Sequence, residues 1–272
     1  MLPLLALAAC GGGTDAPTRA AGGDAAGDAA GDAAGGSGQT GSPASTDELR
    51  GDLTVFAAAS LRAVFEELGT AVERRHPGVD VTFSFAGSSD LVSQVLAGAP
   101  ADVLATADEA TMTRAVAGAA VAGAPTLFAE NALTLVVPPG NPAAVTGLDA
   151  SLDGASLVVC APQVPCGAAT AELAELVGVR LSPVSEESSV TDVLGKVTSG
   201  QADAGLVYAS DAAGAEDAVE VIAVPGVDRV VNRYPVAVLE SSRQPGLAKL
   251  WVDTLTGDEG RGLLADAGFR LP

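Results

Sequence analysis

The feature that most constrains the fold is a junction that recurs along the chain: a short apolar strand, a turn of small residues and the start of a helix. The first example is the run 53–61, which ends in Ala-Ala-Ala-Ser60-Leu and is followed by apolar residues at helical spacing, among them Val64 and Leu68. From the sequence, Ser60 is expected at the N-cap position of this helix. A helix start presents unpaired N–H groups and a partial positive charge, so the junction is either an anion cradle or a plain serine cap.

The same arrangement occurs further along the chain. Residues 79–85 alternate apolar and polar side chains, as a half-buried strand does, and lead through Ala-Gly to Ser88 and a second helix. The buried run 156–160 leads into a proline-containing turn that carries Cys166. Strands that alternate with helices indicate βαβ units, in which ligands bind at the carboxyl ends of the strands. Ser60 and Ser88 both lie at such ends.

Two strands divide this part of the chain into two lobes. Residues 131–137 are predicted to leave the first lobe, and residues 233–240 to return to it before two amphipathic helices. We therefore expect an α/β fold with two lobes, each a mainly parallel sheet flanked by helices, and a ligand cleft between them. The predicted boundaries are 51–132 plus 233–272 for lobe 1 and 133–232 for lobe 2.

The N-terminal segment is not expected to belong to the folded part. Residues 1–10 resemble a lipoprotein signal segment, truncated at its start, that ends in Leu-Ala-Ala-Cys10, and Cys10 would carry the lipid. Residues 11–50 are rich in Gly, Ala and Asp and are predicted to form a disordered linker, because they contain too few apolar side chains for a core. We expect an extracytoplasmic protein that is held at the cell membrane only by this lipid anchor.

Charge and residue types exclude several classes of function. With 14 basic and 34 acidic residues, the net charge is −20, which excludes nucleic acid and anionic lipid as partners. The single histidine, His76, stands at a helix end, and the chain has no G-x-S-x-G motif. We expect neither an enzyme nor a cofactor. A secreted serine hydrolase that uses Ser60 or Ser88 is the alternative from a different class.

Two cysteines, Cys160 and Cys166, remain once Cys10 is assigned to the lipid. They flank a turn that contains proline. In an oxidising compartment such a pair is expected to form a disulfide. The alternative is that both are small buried hydrophobic side chains.

A series of motifs, in order along residues 52–269, resembles the periplasmic molybdate-binding proteins of ABC importers, a family of substrate-binding proteins. The motifs are Val55-Phe-Ala-Ala-Ala-Ser60-Leu, Ser84-Phe-Ala-Gly-Ser88-Ser, Gly98-Ala-Pro-Ala-Asp102-Val, Val164-Pro-Cys-Gly167, Asp192-Val193, Gly205-Leu-Val-Tyr208-Ala-Ser-Asp211 and Tyr234-Pro-Val-Ala-Val238. The resemblance implies a type II-like binding protein that holds a tetrahedral dianion between its lobes.

Carried over by position, the resemblance implies five site residues. Ser60 and Ser88 would give hydroxyl and backbone N–H donors, Cys166 and Val193 backbone N–H groups, and Tyr208 its phenol. Position alone favours the alternative that Tyr208 is a core ring whose hydroxyl is satisfied. Metal would be bound only as the oxyanion, through these same residues.

The function implied is capture of molybdate, and of tungstate, by a monomer that delivers the anion to an ABC permease in the membrane. Molybdate is fully deprotonated at neutral pH and only accepts hydrogen bonds, so neutral donors and helix dipoles suit it without Arg or Lys. A binding protein for another tetrahedral oxyanion, such as sulfate, is the close alternative.

Overall fold

Strands and helices alternate in the order expected of an α/β fold. The computed structural model describes residues 49–272, so the predictions for Cys10 and for the linker up to residue 48 lie outside the described residues. The strands are β1 (Gly51–Ala58), β2 (Val79–Ala86), β3 (Val103–Ala105), β4 (Val121–Val137), β5 (Leu157–Cys160), β6 (Ser185–Glu187), β7 (Ala204–Tyr208), β8 (Glu220–Ile222) and β9 (Val231–Leu239). The helices are α1 (Arg62–Arg75), α2 (Ser88–Leu96), α3 (Glu109–Ala117), α4 (Pro165–Val177), α5 (Val190–Thr198), α6 (Ala209–Gly214), α7 (Pro245–Thr256) and α8 (Asp258–Asp266). Across residues 49–272, none of these helices has the length and apolar character needed to cross a membrane.

The strands lie in the order β2-β1-β3-β9-β4-β7-β5-β6, with β8 also paired to β4. β1 runs parallel to β2 and β3, and β5 runs parallel to β6 and β7. β9 is antiparallel to β3 and β4, and β4 is antiparallel to β7. The α/β prediction is confirmed, and the antiparallel pairs arise because β4 and β9 carry the chain out of one lobe and back into it.

β4 joins the two lobes because it changes partner along its length. Its residues up to Ala132 pair with β9, and Leu133 to Val136 pair with β7. The sequence pattern predicted only the part from residue 131 onward. The earlier half was missed because Gly123, with φ +76°, and Pro125 interrupt its alternation, and the pairing with β9 shifts register there. The exact boundaries of the lobes stay a prediction.

The helices cover the sheet in two groups. α1, α2, α3, α7 and α8 pack on or beside β1, β2, β3 and β9, whereas α4, α5 and α6 pack around β5 and β7. In the first group Phe65 of α1 is fully buried, and its ring lies 5.3 Å from that of Trp251 in α7. Aromatic contacts of this kind fix α1 and α7 against the same face of the sheet.

Asp102, just before β3, ties the first lobe together. Its side chain is buried, and its Oδ2 accepts the N–H of Thr54 in β1 at 2.9 Å. Its Oδ1 accepts the hydroxyl of Ser242 at 2.7 Å and the N–H groups of Arg243 at 3.0 Å and Gln244 at 3.3 Å. One carboxylate therefore joins β1 to the segment that leads into α7.

We expect Asp102→Ala to lower the free energy of unfolding by roughly 3 kcal/mol, because four partly buried donors lose their shared carboxylate acceptor at once. Urea unfolding followed by circular dichroism measures the change. Asp52→Ala is the matched control: Asp52 is an exposed residue on β1, and its loss should cost less than about 0.5 kcal/mol. Equal losses in the two variants would contradict the role assigned to Asp102.

Candidate functional site

A small cavity lies where the carboxyl ends of β1, β2 and β7 meet the first turns of α2, α4 and α5. The centre of a water-sized solute can occupy only about 20 Å³ of it, too little space for a sugar or a peptide. Its lining residues are Ala59, Ser60, Ala86, Gly87, Ser88, Ala107, Val164, Pro165, Cys166, Ser188, Ser189, Val190 and Tyr208. Larger open hollows exist, one of about 320 Å³ beside Asp149 and Arg180, but none of the predicted site residues lines it.

Helix starts bring backbone donors to this cavity. Ser88 is the first residue of α2 and Val190 the first of α5, and in α4 Cys166 follows a proline and so carries the first N–H group of that helix. First-turn N–H groups have no carbonyl partner within their own helix, and they lie at the positive end of the helix dipole. The junction seen repeatedly in the sequence thus folds so that several such ends meet at one place.

Ser88 is held so that its hydroxyl proton is available. Its side chain is buried, and its Oγ accepts the backbone N–H of Ala107 at 3.0 Å. Because that N–H occupies a lone pair of the oxygen, the hydroxyl can still donate its own proton into the cavity.

The hydroxyl oxygen of Tyr208 is a buried polar atom at the cavity. The side chain is 1% exposed, and its hydroxyl has no hydrogen-bond partner within residues 49–272. Burial raises the pKa of this hydroxyl well above its ordinary value, and the charges of Asp108 and Asp211 act in the same direction. Tyr208 is therefore a permanent donor, and an unpaired buried hydroxyl costs about 1–3 kcal/mol until an acceptor arrives.

Asp211 lies behind this tyrosine and does not line the cavity. Its Oδ2 accepts the backbone N–H of Tyr208 at 3.2 Å, which fixes the start of α6. Burial raises the pKa of Asp211 to about 7. At neutral pH the carboxyl is therefore partly protonated, which reduces the negative charge close to Tyr208.

Ser189 lines the cavity but does not donate to it. Its Oγ donates to Oδ2 of Asp192 at 2.7 Å and accepts the N–H of the same residue at 3.2 Å. Ser189 is thus the N-cap of α5 and fixes where that helix begins. Neither Asp192 nor Asp90 lines the cavity, and no charged side chain is found among its lining residues, all of which lie in the described part of the chain.

The structure brings Ser60, Ser88, Cys166 and Tyr208 together, but it does not bring Val193 to them. α5 begins at Val190, so Val193 is already one turn inside the helix, where its N–H donates to the carbonyl of Ser189 at 3.4 Å. Its side chain is fully buried. This corrects the sequence assignment: Val190 is the residue of α5 at the cavity. The signal was present in Ser189-Val-Thr-Asp192, a capping pattern that starts the helix at Val190.

The predicted disulfide is confirmed. Cys160 at the end of β5 and Cys166 in the first turn of α4 are bonded, with their Cα atoms 5.6 Å apart. The turn between them folds tightly onto the helix, since a β-carbon at Gly167 would lie 1.9 Å from the carbonyl oxygen of Ala161. The disulfide therefore closes the turn that carries the Cys166 N–H.

The two walls of the cavity touch each other beside it. The Ser89 hydroxyl of α2 donates to the carbonyl of Gln163, in the disulfide-closed turn, at 2.6 Å. A β-carbon at Gly87 would lie 2.1 Å from the carbonyl oxygen of Ser188, just before α5. Glycine at that position lets the start of α2 reach the opposite wall, and the cavity is closed on this side.

The sequence matches a known family of binding proteins. The model of the family described as bacterial extracellular solute-binding protein matches residues 53–270. The molybdate-binding protein ModA of Mycobacterium tuberculosis is 45% identical over 232 residues, which are 85% of this chain and 89% of the relative.

Solved structures show the same fold. The periplasmic molybdate-binding protein of Azotobacter vinelandii matches with a TM-score of 0.69 at 21% identity, over 81% of this chain and 99% of that chain. The sulfate-binding protein SubI of M. tuberculosis matches with a TM-score of 0.67 at 22% identity, over 81% of this chain and 86% of that chain. At such identities the likeness concerns the fold alone. From the family model and the relative in M. tuberculosis, this chain belongs to the bacterial extracellular solute-binding proteins, and it is a binding protein rather than an enzyme.

Proposed function

We propose that this protein captures molybdate in the cavity between α2, α4 and α5 and delivers it to the permease of an ABC importer in the membrane. The observation that carries the proposal is the hydroxyl of Tyr208, which is buried, protonated and without a partner in the described chain, at a cavity lined by other neutral donors. The relative that is 45% identical is named as a molybdate-binding protein, which supports the choice of anion.

The donors would be the hydroxyls of Ser60, Ser88 and Tyr208 and the backbone N–H groups of Cys166 and Val190, the last in place of Val193. All are neutral, and helix dipoles add positive potential. A fully deprotonated tetrahedral dianion accepts from every one of them. Hydrogen phosphate would also have to donate, and the cavity lining contains no carboxylate to receive its proton. Tungstate, with the same charge and shape, is proposed as a second ligand.

The remaining sequence expectations become part of the proposal. We infer that the protein acts as a monomer, requires no cofactor beyond the oxyanion it carries, and is held at the outer face of the membrane by lipid on Cys10 and a linker of residues 11–50. The support for the anchor is the sequence pattern alone. Lobe 1, proposed as 51–132 plus 233–272, would hold Ser60 and Ser88, and lobe 2, proposed as 133–232, the other donors.

Molybdate should raise the thermal stability of the protein. A ligand that binds only the folded state adds roughly 4 kcal/mol at a free concentration about a thousandfold above Kd. Differential scanning calorimetry of the full chain with molybdate, tungstate, sulfate and phosphate measures the shift. We expect a large shift with molybdate and tungstate and little with phosphate. A shift with sulfate alone would show that the ligand is sulfate and not molybdate. No shift with any of the four anions would refute an oxyanion site.

Tyr208→Phe should move stability and binding in different directions. Without ligand, the variant should be as stable as the unmodified protein or slightly more stable, because an unpaired buried hydroxyl is removed and the ring remains. Molybdate affinity should fall roughly tenfold to a hundredfold, since a hydrogen bond to a charged group is lost. Calorimetric titration together with melting of the ligand-free variant tests both parts. Unchanged affinity would remove Tyr208 from the site.

Replacing Cys160 and Cys166 together by Ala should weaken binding only modestly. The backbone N–H of residue 166 remains, but the turn that carries it is no longer closed and must be ordered by the ligand. The free energy of unfolding should fall by roughly 2 kcal/mol on the chain-entropy account of a short loop. Titration and urea unfolding of the double variant provide the two values. An affinity equal to that of the unmodified protein would show that the disulfide does not preorganise the site.

A further inference from the structure

We propose that Tyr234 is a positioning residue of the site: its hydroxyl donates to Ser60 Oγ, and it thereby turns the Ser60 proton toward the bound anion. This inference rests on the proposed function. Tyr234 does not line the cavity, and it is not one of the donors proposed above.

Tyr234 lies in β9, one of the two strands that join the lobes, and its side chain is fully buried. Its hydroxyl oxygen lies 3.1 Å from Ser60 Oγ, and distance alone permits either oxygen to be the donor. The ring is fixed on three sides, since its centroid lies 5.8 Å from that of Tyr208, 6.3 Å from that of Phe128 and 5.5 Å from that of Phe269. The hydroxyl therefore reaches Ser60 from a rigid support.

The direction of this hydrogen bond follows from the acceptors available to the two hydroxyl protons. Burial raises the pKa of Tyr234, so its hydroxyl keeps its proton at every physiological pH. The side chains of Tyr208 and Asn131 also lie near this hydroxyl. However, the Asn131 amide is bonded to Ser210 and Ala132, and the Tyr208 hydroxyl makes no hydrogen bond within residues 49–272. Ser60 Oγ is therefore the partner with hydrogen-bond geometry toward the Tyr234 hydroxyl. If Ser60 donated instead, the tyrosine proton would be left buried without an acceptor, which is costly. Tyr234 is therefore the donor.

The consequence for the cavity concerns the proton on Ser60. A serine hydroxyl has one proton and two lone pairs, and Tyr234 occupies one lone pair. The Ser60 proton is then free to point into the cavity, where a deprotonated oxyanion can only accept. Without the tyrosine hydroxyl, Ser60 could rotate and present a lone pair to the anion, which is repulsive. Ser88 does not depend on Tyr234, because the N–H of Ala107 fixes its hydroxyl.

A double-mutant cycle with calorimetric titration of molybdate tests the inference on the full chain. Tyr234→Phe keeps the ring and its aromatic contacts, so the ligand-free melting temperature should stay close to that of the unmodified protein. Its affinity should fall about three- to tenfold, the worth of one oriented neutral hydrogen bond. The same substitution in a Ser60→Ala background should have almost no effect on affinity. In a Ser88→Ala background it should keep its full effect, which provides the matched control.

The outcomes separate this inference from the proposed function. If the unmodified protein binds molybdate and Tyr234→Phe binds equally well, the positioning role is overturned and the proposed function stands. If Tyr234→Phe weakens binding by the same factor in the Ser60→Ala background, its effect does not pass through Ser60, and the inference is again overturned. If the unmodified protein binds no oxyanion, the proposed function fails and this inference fails with it.

Discussion

The site depends on one constraint: a protein with a net charge of −20 has to hold a small anion without a cationic side chain in the cavity. The positive potential comes instead from the starts of α2, α4 and α5 and from hydroxyl protons, which are fixed dipoles and do not titrate near neutral pH. Each dipole is weak, so several must meet at one point. The strand–turn–helix junctions achieve this because the carboxyl ends of their strands, and the helix starts that follow, lie around the same cavity.

The strands that join the lobes contribute more than a connection. β4 holds β9 on one part of its length and β7 on the other, and these two strands carry Tyr234 and Tyr208. The two rings are in contact. The Tyr234 hydroxyl lies within hydrogen-bond distance of Ser60, and the Tyr208 hydroxyl has no partner in the described residues. The hydrogen bond between Tyr234 and Ser60 therefore connects the cavity to β9, one of the two strands that join the lobes.

Much of the fold and of the site could be predicted from sequence because helix caps, apolar spacing and small-residue turns are local signals. Ser60, Ser88, Cys166 and Tyr208 all lie at or near strand–helix junctions, and the sequence pattern was enough to name them as candidate site residues. Val193 was misassigned because the Ser-x-x-Asp cap that starts the helix at Val190 was not used to fix the position. The contact between Tyr234 and Ser60 could not be predicted, since it joins residues 174 positions apart.

The most direct test of this account is a crystal structure of the molybdate complex in which the anomalous scattering of molybdenum locates the metal. The account predicts one strong peak in the cavity, with molybdate oxygens within hydrogen-bond distance of the Tyr208 hydroxyl, the hydroxyls of Ser60 and Ser88, and the N–H groups of Cys166 and Val190. A molybdenum peak outside this cavity, or an occupied cavity in which the Tyr208 hydroxyl still lacks a partner, would contradict it.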